Sequence, residues 1–546
     1  MLKNVFRRQI NSITIAAALV AASSLVSRLL GIIRDRILAG EFGAGATLDM
    51  YYAAFRVPDL VYNLVVLGAL SAGFIPIFTS LIKDFKCDEE CGLKNHNKEA
   101  WTLVNNVLNI LLLGLIVISV LGIIFAPAFV RYITPGFSLD DQATTASLTR
   151  IMFLSPLFLG ISGILGGVLQ SFRRFLIYSL APILYNLGII VGAVYFVDIW
   201  GVQGLAWGVV LGAFLHMFIQ IPMIVRLGFR YRFKIKWFDR DTIKIGRMMI
   251  PRTMSLAISQ INLVVITVIA SSLSSGSLSV FNFANNLQSF PIGIFGISFA
   301  IAAFPALSQH AFNLEKLSEN FSSTIRQILF FIVPATILII VLRAQIVRVV
   351  LGTGSFDWQD TILTMNTLGF FAISLFAQAT IPVLVRVFYA RHNSRTPFYL
   401  GLFSIAINIV LSFVFAQTMG VAGLALAFSI ANILNFMLLW LWLHFKVGDL
   451  GVYSIFVSTA KFMVAAIAAG LATQIAKVLV WPFIDMTKFT GVFLQLCLSF
   501  LAGILVYALF CYLFRSEEFF ILVSAVRRRW PFRKVKINDQ GEARGI

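Results

Sequence analysis

The sequence predicts an all-α polytopic membrane protein, on three observations. Apolar residues fill 59% of its 546 positions and charged residues only 12%, with a mean hydropathy of +0.90. Apolar runs of membrane-crossing length recur from Ile13 to Phe514, whereas a transmembrane barrel would show short alternating segments. The loops between the runs also alternate between basic and nearly charge-free. Lys and Arg gather before the first run, at Lys83–Lys98, Arg173–Arg174, Arg226–Arg247, Lys316–Arg326, Arg386–Arg395 and around Lys446, then from Arg515 onward. Gly40–Leu48, Asp198–Gly201, Leu273–Ser277 and Gln417–Gly420 have almost none. The positive-inside rule then puts both termini in the cytoplasm and requires an even number of crossings.

Taken in order, the runs give about fourteen spans. The first seven lie near Ile13–Ala39, Met50–Ile82, Trp101–Val130, Ala143–Gln170, Phe175–Val197, Val202–Val225 and Ile243–Ser272. The rest lie near Val280–Ala311, Ile325–Leu351, Ile362–Tyr389, Pro397–Ala416, Val421–Phe445, Ser454–Val480 and Gly491–Phe514. Prolines interrupt them at Pro58, Pro76, Pro182, Pro251, Pro291, Pro305 and Pro382. Such breaks are tolerated in membranes where neighbours satisfy the freed carbonyls, and they give helices places to bend.

An internal repeat divides this array. Gly201-Val-Gln-Gly-Leu-Ala-Trp-Gly208 echoes Gly420-Val-Ala-Gly-Leu-Ala-Leu-Ala427, each one span after a basic loop, Phe172–Phe175 or Arg386–Arg391. Gly73-Phe-Ile-Pro-Ile-Phe78 matches Ala302-Ala-Phe-Pro-Ala-Leu307 in position. Both copies have the same orientation, which predicts two six-helix lobes in parallel repeat, with a cavity between them. The expected divisions are residues 1–235 and 236–446 for the lobes, 447–515 for two added helices and 516–546 for a basic cytoplasmic tail.

The first span carries unexpected charge: Arg28, Arg34, Asp35 and Arg36 within an otherwise apolar stretch. Ionisable groups at bilayer depth are costly, and where they occur they face a bundle interior or a water-filled cavity. Arg28 and Asp35 are seven residues apart and share a helix face with Gly31 between them. Arg34 lies about 120° round and reaches the same cavity if the helix bends at Gly31. Two buried arginine forks suit a phosphate, so this helix is a candidate anion site. The plainer reading is an intramembrane ion pair, with Asp35 or Asp49 as the acid, that holds helices in register. Arg36, nearer the span's end, suits snorkelling to the interface. Asp35, Asp49 and Asp59, the last beside Arg56, are the candidates for proton coupling.

Other chemistry is poorly represented. No Walker A sequence is present, and Gly352-Thr-Gly-Ser-Phe-Asp357 lacks the strand–helix context of a phosphate loop, so it reads as a turn. Five histidines show no zinc spacing, and no nucleophile–base constellation stands out. Cys87 and Cys91 beside His96 read as a solvated loop, and Cys497 and Cys511 as packing residues. The N-terminal segment reads as a span with no cleavable signal peptide. The net charge of +19 fits basic cytoplasmic loops and anionic lipid headgroups rather than nucleic acid. No metal and no cofactor are expected, with transport driven by membrane potential or an ion gradient.

Several motifs carry a family resemblance. Ser27-Arg-Leu-Leu-Gly-Ile-Ile-Arg-Asp35, Phe42-Gly-Ala-Gly45, Asp49, Phe55-Arg-Val-Pro-Asp-Leu60 and Gly68-Ala-Leu-Ser-Ala-Gly-Phe-Ile-Pro76 resemble the opening of the MurJ (MviN) family. Ser259-Gln-Ile-Asn262, Ser289-Phe-Pro-Ile-Gly293 and Phe388-Tyr-Ala390 ahead of Thr396-Pro397 extend the likeness along nearly the whole chain. These are the lipid II flippases of bacterial peptidoglycan synthesis, within the multidrug/oligosaccharidyl-lipid/polysaccharide exporter superfamily. The resemblance implies that Arg28, Arg34 and Asp35 line the substrate cavity, that Asp49 opens the second helix, and that the arginines meet a diphosphate. The chain departs from the family pattern at three places. Val61-Tyr-Asn-Leu64 lacks a second-helix arginine, Asn286 stands where an eighth-helix arginine is usual, and Ile266 occupies the place of a sodium-associated carboxylate. Arg252, after Pro251, is a candidate to supply the charge that Asn286 does not; its plainer reading is a headgroup anchor.

The expected function is therefore flipping of lipid II across the bacterial cytoplasmic membrane by alternating access. The substrate is a polyprenyl-diphosphate-linked glycopeptide, membrane lipids are partners, and cell-wall synthesis proteins are possible ones. Three alternatives compete. A flippase of another polyprenyl-linked glycan needs nearly the same cavity. A drug or cation exporter of the superfamily would favour acidic and aromatic cavity residues over Arg28 and Arg34. A membrane scaffold would act through its basic tail.

Overall fold

A long helix satisfies its own backbone within the bilayer, and the chain uses little else. The computed structural model describes residues 13–67, 73–82 and 97–529, and among these every regular element is a helix. The first repeat comprises α1 (Ile13–Phe42), α2 (Ala46–Val61), α3 (Ile75–Leu81), α4 (Lys98–Ile133), α5 (Leu139–Met152), α6 (Ser155–Ser171), α7 (Phe175–Val191), α8 (Val197–Trp200), α9 (Gln203–Phe218) and α10 (Ile221–Arg226). The second comprises α11 (Arg240–Ser271), α12 (Ser277–Pro291), α13 (Ser298–Gln309), α14 (Leu314–Val350), α15 (Trp358–Ala372), α16 (Leu375–Ala390), α17 (Arg395–Met419) and α18 (Val421–Val447). Then come α19 (Val452–Val480), α20 (Phe489–Leu513) and α21 (Glu517–Arg529).

Ten helical segments among the described residues are long and apolar enough to cross a membrane, or eleven if α15 and α16, bent by 44°, form one crossing. The other three expected spans fall on α1, on α2 with α3, and on α11, none of which is among those segments; within α11, Leu256–Ser271 forms a shorter apolar helix. π-helical turns adjoin two of the prolines singled out in the sequence. Tyr62–Leu67 follows Pro58 closely, and Ile292–Ile297 follows Pro291 directly. A proline cannot donate to the helix ladder, and a wider turn absorbs the lost register. Pro251 causes no such break, because α11 begins at Arg240 and runs through it. Arg252 therefore sits about three turns into the helix rather than at its opening.

The repeat is visible in local geometry. Arg173 (φ 58°) and His392 (φ 59°) are two of three non-glycine residues with positive φ among the described residues, and they lie 219 residues apart. The same spacing separates Gly201 (φ 58°, ψ −145°) from Gly420 (φ 59°, ψ −138°), a conformation essentially restricted to glycine. Pairing recurs as well: α7 packs on α9 as α17 packs on α18, and α2 on α5 as α12 on α15. The added helices α19 and α20 pack on each other and on α14.

Among the described residues, three buried apolar clusters organise the interior. One draws on both repeats near the loops Gly43–Gly45 and Leu273–Gly276, through Leu38, Tyr51, Leu148, Leu278, Phe281 and Phe371. A second belongs to the first repeat, around Phe74, Phe78 and Phe172, with Ile245 of α11. The third holds Phe321, Phe330, Leu384 and Phe462 of the second repeat and α19. Cys497 and Cys511 lie in α20, one exposed and one buried, whereas Cys87, Cys91 and His96 lie outside the described residues.

Candidate functional site: a polar seam between the repeats

A helix buried on one face by apolar neighbours still needs partners for any polar side chain on that face, and α12 supplies a row of them. Ser279, Asn282, Asn286 and Gly293 are spaced i, i+3, i+7 and i+14, one stripe of a helix, although Gly293 already lies in the π turn. Opposite them stand two pairs seven residues apart in the first repeat, Asp49 and Arg56 on α2, and Asp35 and Arg28 on α1.

At one end of this seam Asp49 accepts from the backbone N–H of Gly276 (2.7 Å) and Ser279 (2.7 Å) and from the Ser279 hydroxyl (2.6 Å). It is buried, and it caps the N-terminus of a helix in the other repeat, where the exposed amides and the helix dipole favour a carboxylate. Gly276 makes the approach possible. It takes φ 89°, and a Cβ there would collide with the carbonyl of Ala44. The loop after α14 closes over the same end, where Ser355 N–H donates to Gly40 O (2.7 Å) and Ala44 N–H to the Asp360 carboxylate (2.9 Å). The segment Gly352–Asp357 is thus a packed turn.

One step inward, Arg56 donates through Nε to Thr267 Oγ1 of α11 (2.9 Å) and through Nη2 to Asn282 Oδ1 (3.0 Å). Asp59 lies on the next turn and makes no ion pair among the described residues; its backbone carbonyl accepts from Asn63 Nδ2 (2.8 Å). At the centre Arg34 donates to Asp35 Oδ1 through Nε (3.0 Å) and Nη2 (2.7 Å), and to Asn186 Oδ1 of α7 through Nη1 (3.1 Å). Asn286 Nδ2 donates to the other oxygen of Asp35 (2.8 Å). Asn186 closes the loop by donating to Ser27 O (3.3 Å) and Pro182 O (3.1 Å). Further along, the Arg28 guanidinium lies where a Cβ on Gly293 would be, and has no hydrogen bond or ion pair among the described residues.

The structure therefore brings Arg34, Asp35 and Asn286 together at the centre of the seam, and sets Arg28 and Asp49 apart towards its two ends. α1 has no break at Gly31; Arg34 reaches its partners through its own side chain. Arg36 does not snorkel. Its Nη1 donates to Val349 O (2.5 Å) and Val350 O (3.4 Å), the terminal carbonyls of α14, and its guanidinium lies 4.9 Å from the Phe489 ring centre. The side chain of Arg252 lies outside the described residues. Ile266 is buried in the shared apolar cluster, and nearby Asn262 accepts from Asn408 Nδ2 of α17 (2.8 Å).

Sequence reasoning did not single out Asn186, Asn282 or Thr267, and it placed Arg56 only beside Asp59. A signal existed for the asparagines: amides inside apolar spans need partners, and Ser279, Asn282 and Asn286 keep helical spacing.

Chemically, among the described residues the seam holds three guanidinium groups, Arg28, Arg34 and Arg56, and two carboxylates in direct contact across it, Asp35 and Asp49, with Asp59 one turn beyond Arg56. One carboxylate is taken up by helix-end amides, so cationic charge is in excess where the repeats meet. Such a surface suits an anion with several oxygens.

Comparison with known proteins agrees with this architecture. Residues 38–496 match the family model for "Lipid II flippase MurJ", starting just beyond Asp35. The protein named "Probable lipid II flippase MurJ" of Vibrio cholerae is 30% identical over 464 residues, which cover 83% of this chain and 86% of that one. A solved structure titled "Lipid II flippase MurJ, inward closed conformation" superposes with a TM-score of 0.74 at 24% identity, over 91% of this chain and 98% of that one. An inward-facing multidrug transporter of the MATE family, in the MOP superfamily, shares the fold at a TM-score of 0.63 and 16% identity, over 80% of this chain and 98% of that one. The chain belongs to the lipid II flippase MurJ family.

Proposed function

We propose that this protein flips lipid II, a polyprenyl-diphosphate-linked glycopeptide, across the bacterial cytoplasmic membrane. The observation that carries the reading is the excess of guanidinium groups in the seam. Arg28 has no anionic partner among the described residues, and Arg34 shares the single central carboxylate, Asp35. A diphosphate offers these forks what Asp35 and Asn186 offer Arg34 now, so the head can exchange with internal partners rather than enter hydrocarbon unpaired. A drug or cation exporter would gain nothing from this charge sign. A flippase for another polyprenyl-linked glycan would use the same contacts; family membership favours lipid II.

In this reading fourteen crossings form two six-helix lobes, residues 1–235 and 236–446, with two further helices in 447–515 and a basic tail in 516–546. Both termini face the cytoplasm, and the Asp49 end of the seam faces outward. Alternating access opens the Asp49 end while closing the other, and the polar row on α12 is the surface along which the lobes part. Membrane potential or an ion gradient drives the cycle without a cofactor. Asp35 is the first candidate for proton coupling, because it touches both lobes at the centre; Asp49 and Asp59 are the others. Arg252 adds charge from the second lobe. The test is complementation of a flippase-depleted strain together with accessibility of lipid II at the outer surface. Growth without lipid II exposure would refute the substrate assignment.

A further inference from the structure

The chain crosses from one repeat to the other through residues 227–239, between α10 and α11, and this connection has an unusual composition. Arg230-Tyr-Arg-Phe-Lys-Ile-Lys-Trp237 alternates cations with aromatic or aliphatic residues. It has no regular secondary structure, yet three asparagines on α4 fix its backbone. Asn105 Nδ2 donates to Arg230 O (3.2 Å), while Asn105 Oδ1 accepts from Arg232 N–H (2.7 Å). Asn109 Nδ2 donates to Arg232 O (2.9 Å) and Lys234 O (3.1 Å). Asn106 Nδ2 donates to Lys236 O (3.0 Å), and its Oδ1 accepts from Lys236 N–H (2.6 Å).

Every one of these bonds falls on an even-numbered residue. In an extended chain the N–H and C=O of alternate residues point to the same edge, and their side chains share one face. The clamp therefore fixes more than position. It sets Arg230, Arg232, Lys234 and Lys236 on one face, and Tyr231, Phe233, Ile235 and Trp237 on the other. Both ends are anchored: Phe229 is buried, with its ring 5.7 Å from that of Trp101, and Asp239 caps α11 through Thr242 N–H (3.1 Å).

Neither the cations nor the rings find a charged partner or an apolar cover among the described residues. None of the four cations makes an ion pair among the described residues. Tyr231, Phe233, Trp237 and Phe238 are 54%, 76%, 56% and 93% exposed, and Ile243 and Ile250 of α11 continue the apolar surface. Exposed rings in water are unfavourable, whereas at headgroup depth aromatic rings are at home and neighbouring cations meet phosphates. Asp239 turns its charge to the helix end, so the strap presents almost purely positive charge.

We propose that residues 230–237 form a clamped two-faced strap that binds the phosphate-bearing headgroups of anionic lipids in the adjoining leaflet, with its rings at the acyl boundary. Assigning that leaflet as the cytoplasmic one rests on the orientation proposed above.

The test uses the full-length protein with its four native cysteines replaced by alanine and an environment-sensitive fluorophore on Phe233→Cys. It is placed in nanodiscs of phosphatidylcholine, alone or with a minor fraction of phosphatidylglycerol. Phosphatidylglycerol should shift the emission to the blue, and a Gln substitution at any one of the four cations should weaken that preference roughly fivefold. The combined Arg230→Gln, Arg232→Gln, Lys234→Gln and Lys236→Gln variant should lose it. An Asn105→Ala/Asn109→Ala variant should weaken it as well, because the cations then no longer share a face; an unchanged preference there overturns the clamp's part. Equal emission in both lipids, or an equal shift when inorganic phosphate is added to phosphatidylcholine discs, overturns lipid headgroup binding. Labelling of Phe233→Cys by an impermeant thiol reagent in intact cells would overturn the leaflet assignment. None of these readouts requires transport, so the strap and the flippase reading succeed or fail separately.

Discussion

Replacing Asp49 with alanine removes the carboxylate that one repeat places on the helix end of the other. It accepts three hydrogen bonds, from Gly276 N–H, Ser279 N–H and the Ser279 hydroxyl, at 2.7, 2.7 and 2.6 Å. If the freed amides are rehydrated, the loss is that of a helix cap, about 1 kcal/mol. If they stay buried without partners, each adds about 1–3 kcal/mol. An intermediate value of about 3 kcal/mol shifts the balance between closed and open forms of this end by roughly 150-fold. Spin labels on cysteines at Ala46 and Ser275, both exposed beside the contact, report the separation directly. The unsubstituted chain should give one short distance, and Asp49→Ala should populate a longer one while remaining folded and monodisperse. Asp49→Asn, which keeps an acceptor oxygen but not the charge, should fall between them. An unchanged distance distribution in Asp49→Ala would refute the reasoning, because the seam would then be held closed by apolar packing alone.

Further consequences follow from the same geometry. Gly201→Ala and Gly420→Ala should each destabilise the protein by about 1–3 kcal/mol in a denaturation assay, because both glycines hold φ near 58° with open space around them, leaving backbone strain as the only cost. Arg34→Lys should flip substrate far less well than the unsubstituted chain at equal abundance, since one ammonium cannot engage Asp35, Asn186 and a phosphate as a planar fork does. Arg252→Ala should lose complementation and Asn286→Arg should restore it in the double variant; normal flipping by Arg252→Ala alone would return that residue to a headgroup anchor. Transport at fixed membrane potential should vary little with sodium, since Ile266 is buried among apolar side chains, and a steep sodium dependence would exclude the protonic route through Asp35.

Much of the site was legible because α1 violates the rule that governs its neighbours. Charges seven residues apart in an apolar span declare a shared face, and Asp35 and Arg28 do meet α12 and the π turn that follows it. The repeat was legible for a related reason. Gly201 and Gly420 sit where only glycine fits, so their identity persists while the surrounding side chains vary. What the sequence could not convey was which polar groups face each other across the repeats. Asp49 read as an ion-pair or proton-coupling acid, but its role depends on the end of α12 arriving beside it, a tertiary fact. Asn186 and Asn282 carry no charge to draw attention, and become recognisable only when Arg34 and Arg56 are seen to need acceptors. Arg36 looked like an interfacial anchor, because nothing in its own span reveals that α14 ends next to it.

The central claim, that the cations of this seam carry a diphosphate-linked head across the membrane, is tested most directly by lipid II accessibility in flippase-depleted cells expressing this chain. The unsubstituted protein should restore exposure of lipid II at the outer surface, and Arg28→Ala and Arg34→Ala, at equal abundance in the membrane, should each leave it confined to the inner leaflet. Full exposure with both arginines replaced would contradict the account.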